Sequence, residues 1–332
     1  MRKENCISKA SVVIFIAFLF VGVITSGQAS AAVLRANLAH VGAPDHIFEA
    51  GALKFAELVT QKTNGQIVIK TYPGAALGGD RDTFEGLKMG TINFNIQGPI
   101  DSFLPITSVT TLPYMYANSE QIYKFLDSDI AAEIYSGLEK MGIVCLAHMQ
   151  NGWRLVTSNK PINNLAGLKG MKIRTPESAM WRSIFQALDA NPVPIAFNEL
   201  YSALQQGVCD GQENPTAHIV TQRFYEVQNS LTITRHMYLD APLLVSKKFW
   251  DKLTPEQQTA VREAAKEATA YQRQVAEERE SKDIEFLGSV GKMTVTYPDL
   301  AEFAAATESV RKEWAQKYGQ DLYDRIVALI NK

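Results

Sequence analysis

One uninterrupted helical segment constrains the fold of this chain more than any other feature of its sequence. Residues 254–257 (Thr-Pro-Glu-Gln) form a capping box, with threonine as N-cap, proline at the first helical position and glutamine three residues after the cap. Helix-forming residues then continue to about Leu287, followed by Gly288. A helix of about 30 residues is roughly 45 Å long, which exceeds one small domain. The segment therefore predicts a helix over about 255–287, with a two-helix hairpin broken near Ala270 as the alternative.

The first 31 residues have the pattern of an export signal. Three basic residues open the chain, an almost wholly apolar run follows from Ser11 to Ile24, and Ala-Ser-Ala stands at 29–31. This pattern predicts a secretory signal peptide over 1–31, cleaved near Ala31. The apolar run is too short and wrongly flanked for a stable membrane span, although an N-terminal anchor is the alternative. We expect the mature protein to be soluble in the periplasm.

Charge and cysteine content argue against several classes of function. Residues 1–31 carry a net charge of +2 and the whole chain carries −2, so the remainder carries −4. Without a basic patch or a second long apolar run, we expect neither nucleic-acid binding nor membrane insertion. Cys145 and Cys209 remain after cleavage, outside any CxxC or CxxH arrangement. We therefore expect no metal, no cofactor and no thiol redox chemistry. Two buried free thiols are favoured over a Cys145–Cys209 disulfide.

Strands and helices alternate along the first part of the mature chain. Strand patterns and amphipathic helix patterns follow one another in this order: Leu34–Ala39, helix Phe48–Thr63, strand Gln66–Tyr72, helix Thr83–Met89 and strand Ile92–Ile96. Such a βαβ rhythm predicts an α/β fold with a mainly parallel, doubly wound sheet.

A second α/β domain is predicted from about Gly152. Its predicted elements are strands Val144–Met149 and Arg154–Ser158 at the first crossing and helices Met180–Leu188 and Phe197–Gln206. The apolar run Tyr238–Val245 is expected to cross back to the first domain. We predict domain I at 32–151 plus about 240–279, and domain II at 152–239 plus about 280–332.

A single arginine stands where such a fold binds ligands. Residues 167–178 contain the short strand Met171–Thr175, which Pro176 ends because proline has no N–H for a sheet ladder. Arg174 therefore lies at the carboxyl end of a strand, where open α/β sheets place their ligands. Its guanidinium can hold a carboxylate through two parallel hydrogen bonds, which lysine cannot reproduce.

Several short motifs surround this arginine in a fixed order. They are Tyr-Pro at 72–73, Leu-Gly-Gly-Asp-Arg at 77–81, Asn-Gly-Trp-Arg at 151–154, Pro-Ile-Ala-Phe-Asn-Glu-Leu-Tyr at 194–201, Asp-Gly-Gln-Glu-Asn-Pro at 210–215 and Val-Ser-Lys-Lys-Phe-Trp at 245–250. Together they resemble the solute-binding proteins of TRAP transporters, the DctP type, over essentially the whole mature chain. The resemblance implies two doubly wound α/β domains of periplasmic-binding-protein type, joined by crossing strands and a long hinge-spanning helix.

The resemblance also implies roles for four residues. Arg174 matches the family's chief carboxylate clamp, while Arg154 and Asn214 match positions that contact the carboxylate directly or through water. Phe197 matches an aromatic position that packs against the ligand. Asn214 satisfying its own turn, and Phe197 as ordinary helix core, are the structural alternatives.

The first domain is expected to select the remainder of the solute. His40 follows the first strand, Asp80 follows Leu-Gly-Gly, and Gln97 ends a strand. His40 and Gln97 could bond hydroxyls or a second acidic group, and Asp80 could accept from a hydroxyl or amine. Glu177 is a weaker candidate that could pair with an arginine or touch the ligand. A zinc site from His40, His46 and Asp80 is a further alternative.

These features predict a monomeric, non-enzymatic receptor that delivers an organic acid to a TRAP transporter. The partners would be that acid and the small and large membrane subunits. A sugar acid such as a hexuronate, an aldonate or sialic acid is favoured, and a C4-dicarboxylate is second. A secreted α/β enzyme acting on acidic carbohydrates is the alternative of a different class, since carboxylate pairs for such chemistry are not recognisable from sequence alone.

Overall fold

The computed structural model of the chain describes residues 32–332, so the predicted signal peptide and its cleavage site near Ala31 lie outside the described residues. The strands are β1 (Leu34–Ala39), β2 (Ile67–Tyr72), β3 (Phe94–Ile96), β4 (Ile143–Ser158), β5 (Lys172–Thr175), β6 (Asn191–Pro194), β7 (Gly211–Asn214), β8 (Ser230–Ser246) and β9 (Thr294–Thr296). The α-helices are α1 (Ile47–Lys62), α2 (Asp80–Met89), α3 (Ser119–Leu126), α4 (Asp129–Tyr135), α5 (Ala179–Ala187), α6 (Leu200–Gln205), α7 (Thr216–Thr221), α8 (Lys247–Trp250), α9 (Pro255–Ser289), α10 (Leu300–Ala306), α11 (Glu308–Tyr318) and α12 (Gln320–Ile330). Among these described helices, none has the length and apolarity that crossing a membrane requires.

The nine strands of residues 32–332 belong to one mixed sheet. Eight strands follow the order β2-β1-β3-β8-β4-β7-β5-β6, and β9 pairs with β8. Pairing is parallel within β2-β1-β3 and within β7-β5-β6, as the βαβ rhythm predicts. It is antiparallel where β3 meets β8, β8 meets β4, and β4 meets β7. The prediction of a mainly parallel sheet is correct for each end and wrong for the middle.

The two long central strands join the ends of the sheet. Strand β4 has 16 residues and β8 has 17, and they pair along nearly their whole length. The sequence predicts two separate strands here, Val144–Met149 and Arg154–Ser158. The pairing with β8 continues through this stretch, with register shifts at Cys145/Ala147, Gln150/Gly152 and Arg154/Val156. Bulges of this kind let a strand bend while its ladder persists.

Helix α9 is continuous over 35 residues, as predicted, and the hairpin alternative is wrong. Its capping box is formed, since the Thr254 N–H donates to Gln257 Oε1 at 3.0 Å and the Gln257 N–H donates to Thr254 Oγ1 at 3.3 Å. The helix is fastened to β4 at its middle. The Gln272 side chain accepts from the Gln150 N–H at 2.8 Å and donates to the Gln150 carbonyl at 2.7 Å. These two buried bonds fix the register of the helix against the crossing strand.

The apolar core is divided over the two faces of the sheet. Helix α1 packs on β1, β2 and β3 through fully buried side chains such as Phe48, Phe55 and Val59, which also meet α9. At the other end, α5 buries Trp181 and Phe185 beside α10 and α11. Residues at the carboxyl ends of β3, β5 and β7 line one common cavity.

A proline in the middle of α9 tests the continuity of the helix. We expect Ala270→Pro to lower the free energy of unfolding by about 3 kcal/mol or more, because proline removes a backbone hydrogen bond and clashes with the preceding turn. Ala270 is exposed, so its side chain contributes little else. Ala270→Gly is the matched control, with an expected loss of about 1 kcal/mol. Urea unfolding of both variants gives the comparison, and a fully tolerated proline would contradict a continuous helix.

Candidate functional site

Two adjoining cavities lie where the strand ends meet. The inner cavity has a volume of about 20 Å³ and the outer cleft about 260 Å³. Both are walled by Asp80, Pro99, Arg174, Pro176 and Phe197. These residues come from both ends of the sheet, so the site lies between the β2-β1-β3 end and the β7-β5-β6 end.

Arg174 is a buried cation whose terminal nitrogens face the cavities. It lies on β5 with only 2% of its surface exposed. Its Nε donates to the Ile195 carbonyl at 2.8 Å, and its guanidinium carbon lies 6.0 Å from the centre of the Phe197 ring. Within residues 32–332, neither terminal nitrogen has a hydrogen-bond partner and no carboxylate lies within ion-pair distance. Burial lowers the pKa of Arg174 to about 10, so the group remains charged at neutral pH.

Arg154 is equally buried, but its charge is compensated. Its Nε donates to Glu213 Oε2, and its Nη2 donates to Glu213 Oε1 at 2.8 Å and to the Glu213 carbonyl at 2.8 Å. Trp181 Nε1 donates to the same carboxylate at 3.0 Å, and His236 Nε2 lies 3.3 Å from it. Burial raises the pKa of Glu213, but Arg154 and His236 outweigh burial and lower it below its usual value. Glu213 is therefore the anion that holds Arg154 in place.

Asn214 connects this ion pair to the inner cavity. Its Oδ1 accepts from Arg154 Nη2 at 3.0 Å, and its Nδ2 donates to Gln212 Oε1 at 2.6 Å. Gln212 in turn donates to Thr157 Oγ1 at 2.8 Å. An amide nitrogen has two hydrogens, so Asn214 keeps one donor for a ligand.

Asp80 begins α2 and lines both cavities. Gln97 Nε2 and the Gly98 N–H donate to its Oδ1 at 3.3 and 3.4 Å. Burial raises the pKa of Asp80 to about 6, against the lowering effects of Gly98, Arg174 and Arg154. Gln97 is fully buried and does not line either cavity, so its contact with the site passes through Asp80.

His40 lies one layer behind the site. Its Nε2 lies 2.8 Å from Glu49 Oε2, and Glu49 also accepts from Thr71 Oγ1 at 2.7 Å. The phenyl ring of Phe48 stands at right angles to the imidazole, 6.1 Å away, and itself lines the inner cavity. The structure therefore does not bring His40 to the cavity wall. Strand β1 ends at Ala39, and Val41, one residue after His40, lines the inner cavity instead.

Phe197 and a histidine that the sequence reasoning missed form one wall. The Phe197 ring lies 4.8 Å from the ring of His218, on α7. His218 stacks on His46 with ring centres 4.0 Å apart. Burial lowers the pKa of both imidazoles well below the usual value, so both are neutral. Within the described chain, His218 Nδ1 and Asn151 Oδ1 are buried without hydrogen-bond partners, and both residues line the inner cavity.

Two polar contacts join the walls of the site. Glu177 is exposed at the mouth of the outer cleft, and Arg81 Nη1 lies 3.5 Å from its carboxylate. Exposed pairs of this kind contribute at most about 1 kcal/mol. Deeper in, the Ser178 hydroxyl donates to Asp101 Oδ2, and both residues are buried. Asp101 follows β3 and Ser178 caps α5, so this bond also connects the two ends of the sheet.

The Asp101 contact makes a testable prediction about pH. Burial raises the pKa of Asp101 from 3.8 to about 6 and outweighs the hydrogen bond from Ser178, so folding favours the protonated acid relative to the unfolded chain. Its stabilising contribution is present below pH 3.8 and is lost as the pH rises through about 6, a change of roughly 1–3 kcal/mol. Asp101→Asn should therefore raise the melting temperature at pH 8 by about 2–6 °C and leave it nearly unchanged at pH 4.

Calorimetric scans at the two pH values measure this difference. Glu313→Gln, which removes an exposed carboxylate from α11, is the matched control and should show no such pH-dependent gain. Equal effects of Asp101→Asn on the melting temperature at pH 4 and pH 8 would contradict a raised pKa for Asp101.

The structure also bears on the predictions for the two cysteines and for the alternative zinc site. Cys145 and Cys209 are both free thiols, as predicted, but only Cys209 is buried as expected, since Cys145 is partly exposed. Among residues 32–332, no group of three or more His, Cys, Asp or Glu side chains is arranged to hold a metal ion.

Comparison with known proteins identifies relatives over most of the chain. The 2,3-diketo-L-gulonate-binding periplasmic protein YiaO of Escherichia coli is 33% identical over 258 residues, which cover 77% of this chain and 79% of that protein. The C4-dicarboxylate-binding periplasmic protein DctP of Rhodobacter capsulatus is 33% identical over 294 residues, covering 86% of this chain and 87% of that protein.

Solved structures show the same architecture. A TRAP periplasmic solute-binding protein from Roseobacter denitrificans with bound L-galactonate has a TM-score of 0.83 and 31% identity, covering 90% of this chain and 99% of that one. Another, from Xanthobacter autotrophicus with bound β-D-galacturonate, has a TM-score of 0.84 and 31% identity, covering 88% and 99%. The predicted α/β fold class is thereby confirmed. The model of the family described as bacterial extracellular solute-binding protein, family 7 (DctP), matches residues 38–317, and this chain belongs to that family.

Proposed function

We propose that this protein is the receptor of a TRAP transporter and that it binds a sugar acid through Arg174. The observation that carries the proposal is the buried guanidinium of Arg174, whose terminal nitrogens face a cavity without a partner among residues 32–332. A buried cation of this kind is costly unless an anion joins it. A ligand carboxylate would supply that anion and form the planar two-bond pairing that guanidinium favours.

The charges around the cavity favour one carboxylate over two. Arg154 is already neutralised by Glu213, and Arg81 is paired with Glu177 at the mouth, so Arg174 is the unpaired cation left for the ligand within the described site. Asp80 adds a carboxyl group on the opposite wall, and its pKa of about 6 leaves it mostly ionised at neutral pH. A second ligand carboxylate would therefore meet repulsion where a hydroxyl would find an acceptor. This argument supports a monocarboxylate over the C4-dicarboxylate alternative.

The remaining polar groups of the wall suit a hydroxylated chain. Asp80 and Asn151 Oδ1 offer hydrogen-bond acceptors, and Asn214 offers a donor. His218 Nδ1 has no hydrogen-bond partner among residues 32–332 and could bond a ligand hydroxyl. Phe197 provides an apolar face beside them. Aldonates and hexuronates combine one carboxylate with several hydroxyls, and the solved relatives described above hold galactonate and galacturonate. The proposal includes direct ligand contacts by five residues: Arg174, Arg154, Asn214, Phe197 and Asp80. Gln97 and His40 would support the wall of the site from behind, and Glu177 would lie at its mouth.

We further propose that binding closes two domains over the solute. Domain I would comprise 32–151 plus about 240–279, and domain II would comprise 152–239 plus about 280–332, with α9 spanning both. The Ser178–Asp101 and Arg81–Glu177 contacts would form on closure, because each joins the two ends of the sheet. The loaded receptor would act as a periplasmic monomer, after cleavage near Ala31, and deliver its solute to the small and large membrane subunits.

Matched pairs of ligands test the proposed specificity. We expect calorimetric titration to show binding of L-galactonate or β-D-galacturonate and at least about 100-fold weaker binding of the corresponding sugar alcohol, because a charge-assisted pair contributes roughly 1.5–3 kcal/mol per bond. Succinate should bind more weakly than the sugar acids. Tighter binding of succinate would favour the C4-dicarboxylate alternative. Recovery of bound sugar acid in altered form would favour an enzyme.

A further inference from the structure

A second constellation of reactive side chains lies away from the solute site, around Cys145. The Cys145 sulfur lies 3.7 Å from His148 Nε2, and His148 Nδ1 lies 2.8 Å from Asp240 Oδ2. The Tyr135 hydroxyl donates to the same Asp240 oxygen at 2.9 Å. A thiol, an imidazole and a carboxylate in this order form the arrangement that activates cysteine nucleophiles, in which the carboxylate orients the imidazole.

A strand irregularity produces this arrangement. Residues 145 and 148 are three apart, and in a regular strand an odd spacing places side chains on opposite faces. The register of β4 against β8 shifts between Cys145 and Ala147, which inserts an extra residue. This bulge turns Cys145 and His148 toward the same side, where the Ala147 carbonyl also lies 3.8 Å from the sulfur.

The sulfur opens into a pocket of about 800 Å³, which we call the α4–α9 pocket. Its walls come from α4, β4 and α9, and include Cys145, His148, Tyr135 and Thr269. The volume falls in the range of pockets that hold small molecules.

The charges facing His148 favour its protonated form. Burial lowers the pKa of His148, but Cys145 and Asp240 outweigh burial and raise it to about 10. On α9, Arg273 donates to the His148 carbonyl and is itself paired with Asp127, at 2.7 and 2.9 Å. The other charged side chains of the pocket are Arg262 and Lys266 on α9 and Asp129 and Glu139 on the opposite wall. An imidazolium beside a thiol stabilises the thiolate.

We propose that Cys145 is a nucleophile, activated by His148, that exchanges with low-molecular-weight disulfides and that the α4–α9 pocket holds the resulting mixed disulfide. In the exchange, the Cys145 sulfur attacks one sulfur of the small disulfide. A new S–S bond forms, the original S–S bond breaks, and the other half leaves as a thiolate that takes up a proton from solvent. The protein thiol is oxidised and half of the small disulfide is reduced, so the electrons balance.

The pH profile of the unaltered protein provides the first test. Hydroxyethyl disulfide is added to the folded protein between pH 6 and pH 8, and intact mass reports the rate of adduct formation. A sulfur activated by His148 should react at rates that differ by less than about threefold over this range, whereas an ordinary thiol with a pKa near 8.5 should speed up roughly 80-fold. The ordinary profile, or failure of Cys145 to react while the folded protein is exposed to reagent, would overturn the proposal.

Variants locate the reaction. Cys145→Ser should abolish the adduct, and Cys209→Ser should leave it unchanged because Cys209 is fully buried. His148→Gln should convert the flat profile into the steep one, provided that its melting temperature shows a folded protein. Asp240→Asn should also make the pH profile steeper, to a smaller extent. This variant replaces His148→Gln as the test if His148→Gln does not fold. A profile that stays flat in folded variants of both kinds would show that the imidazole does not activate the thiol.

Discussion

Arg174→Ala should weaken solute binding by about 30-fold to several thousand-fold. Removing one side of a desolvated charge pair costs roughly 2–5 kcal/mol, since the ligand carboxylate is left buried without its partner. The protein itself should not lose stability, because Arg174 makes one hydrogen bond, to the Ile195 carbonyl, and its burial without an anion is unfavourable. Calorimetric titration with the sugar acid that binds most tightly measures the loss.

Arg174→Lys is the matched control for charge alone. An ammonium keeps the positive charge but cannot form the planar two-bond pairing, so this variant should recover part of the affinity. Arg154→Ala should behave differently, since it leaves Glu213 buried and unpaired and should therefore lower stability as well as affinity. A folded Arg174→Ala protein that binds within about threefold of the unaltered protein would refute the role proposed for Arg174.

Glu213→Ala should destabilise the protein by about 3–5 kcal/mol, even though Glu213 does not line either cavity. Its carboxylate is fully buried and compensates Arg154, so its removal leaves a buried guanidinium without an anion. The hydrogen bond from Trp181 Nε1 is lost at the same time. Urea unfolding in the absence of solute measures the change.

A double variant separates the ion pair from the general effect of cavity formation. Arg154→Met combined with Glu213→Leu removes both charges, and such replacements of buried pairs are often neutral. The double variant should therefore be more stable than Glu213→Ala alone. If the single variant lost less than about 1 kcal/mol, the compensation that we infer between Glu213 and Arg154 would be wrong.

Local sequence signals were sufficient for much of the fold. The caps of α9, the amphipathic pattern of α1 and the strand–helix alternation near the N-terminus each arise from neighbouring residues, and the structure confirms them. The continuity of β4 could not be predicted in this way. It depends on pairing with β8, which lies about 90 residues away in sequence and continues past Gly152.

The same distinction between local and long-range signals applies to the residues of the candidate site. Arg174 could be found because Pro176 marks the end of its strand, and the structure places it at a cavity. The role of Glu213 could not, because its contact with Arg154 follows from the register in which Val156 faces Glu213 on the neighbouring strand. His218 was missed for a similar reason, since it meets Phe197 only through the packing of α7. Direct ligand contacts stay a prediction for the five residues to which we assign them: Arg174, Arg154, Asn214, Phe197 and Asp80.

A crystal structure of the protein with its tightest-binding sugar acid tests the central claim most directly. The account predicts both carboxylate oxygens of the ligand within hydrogen-bond distance of the two terminal nitrogens of Arg174, with the ligand hydroxyls turned toward Asp80. A carboxylate bound elsewhere, with the terminal nitrogens of Arg174 still unpaired, would contradict it.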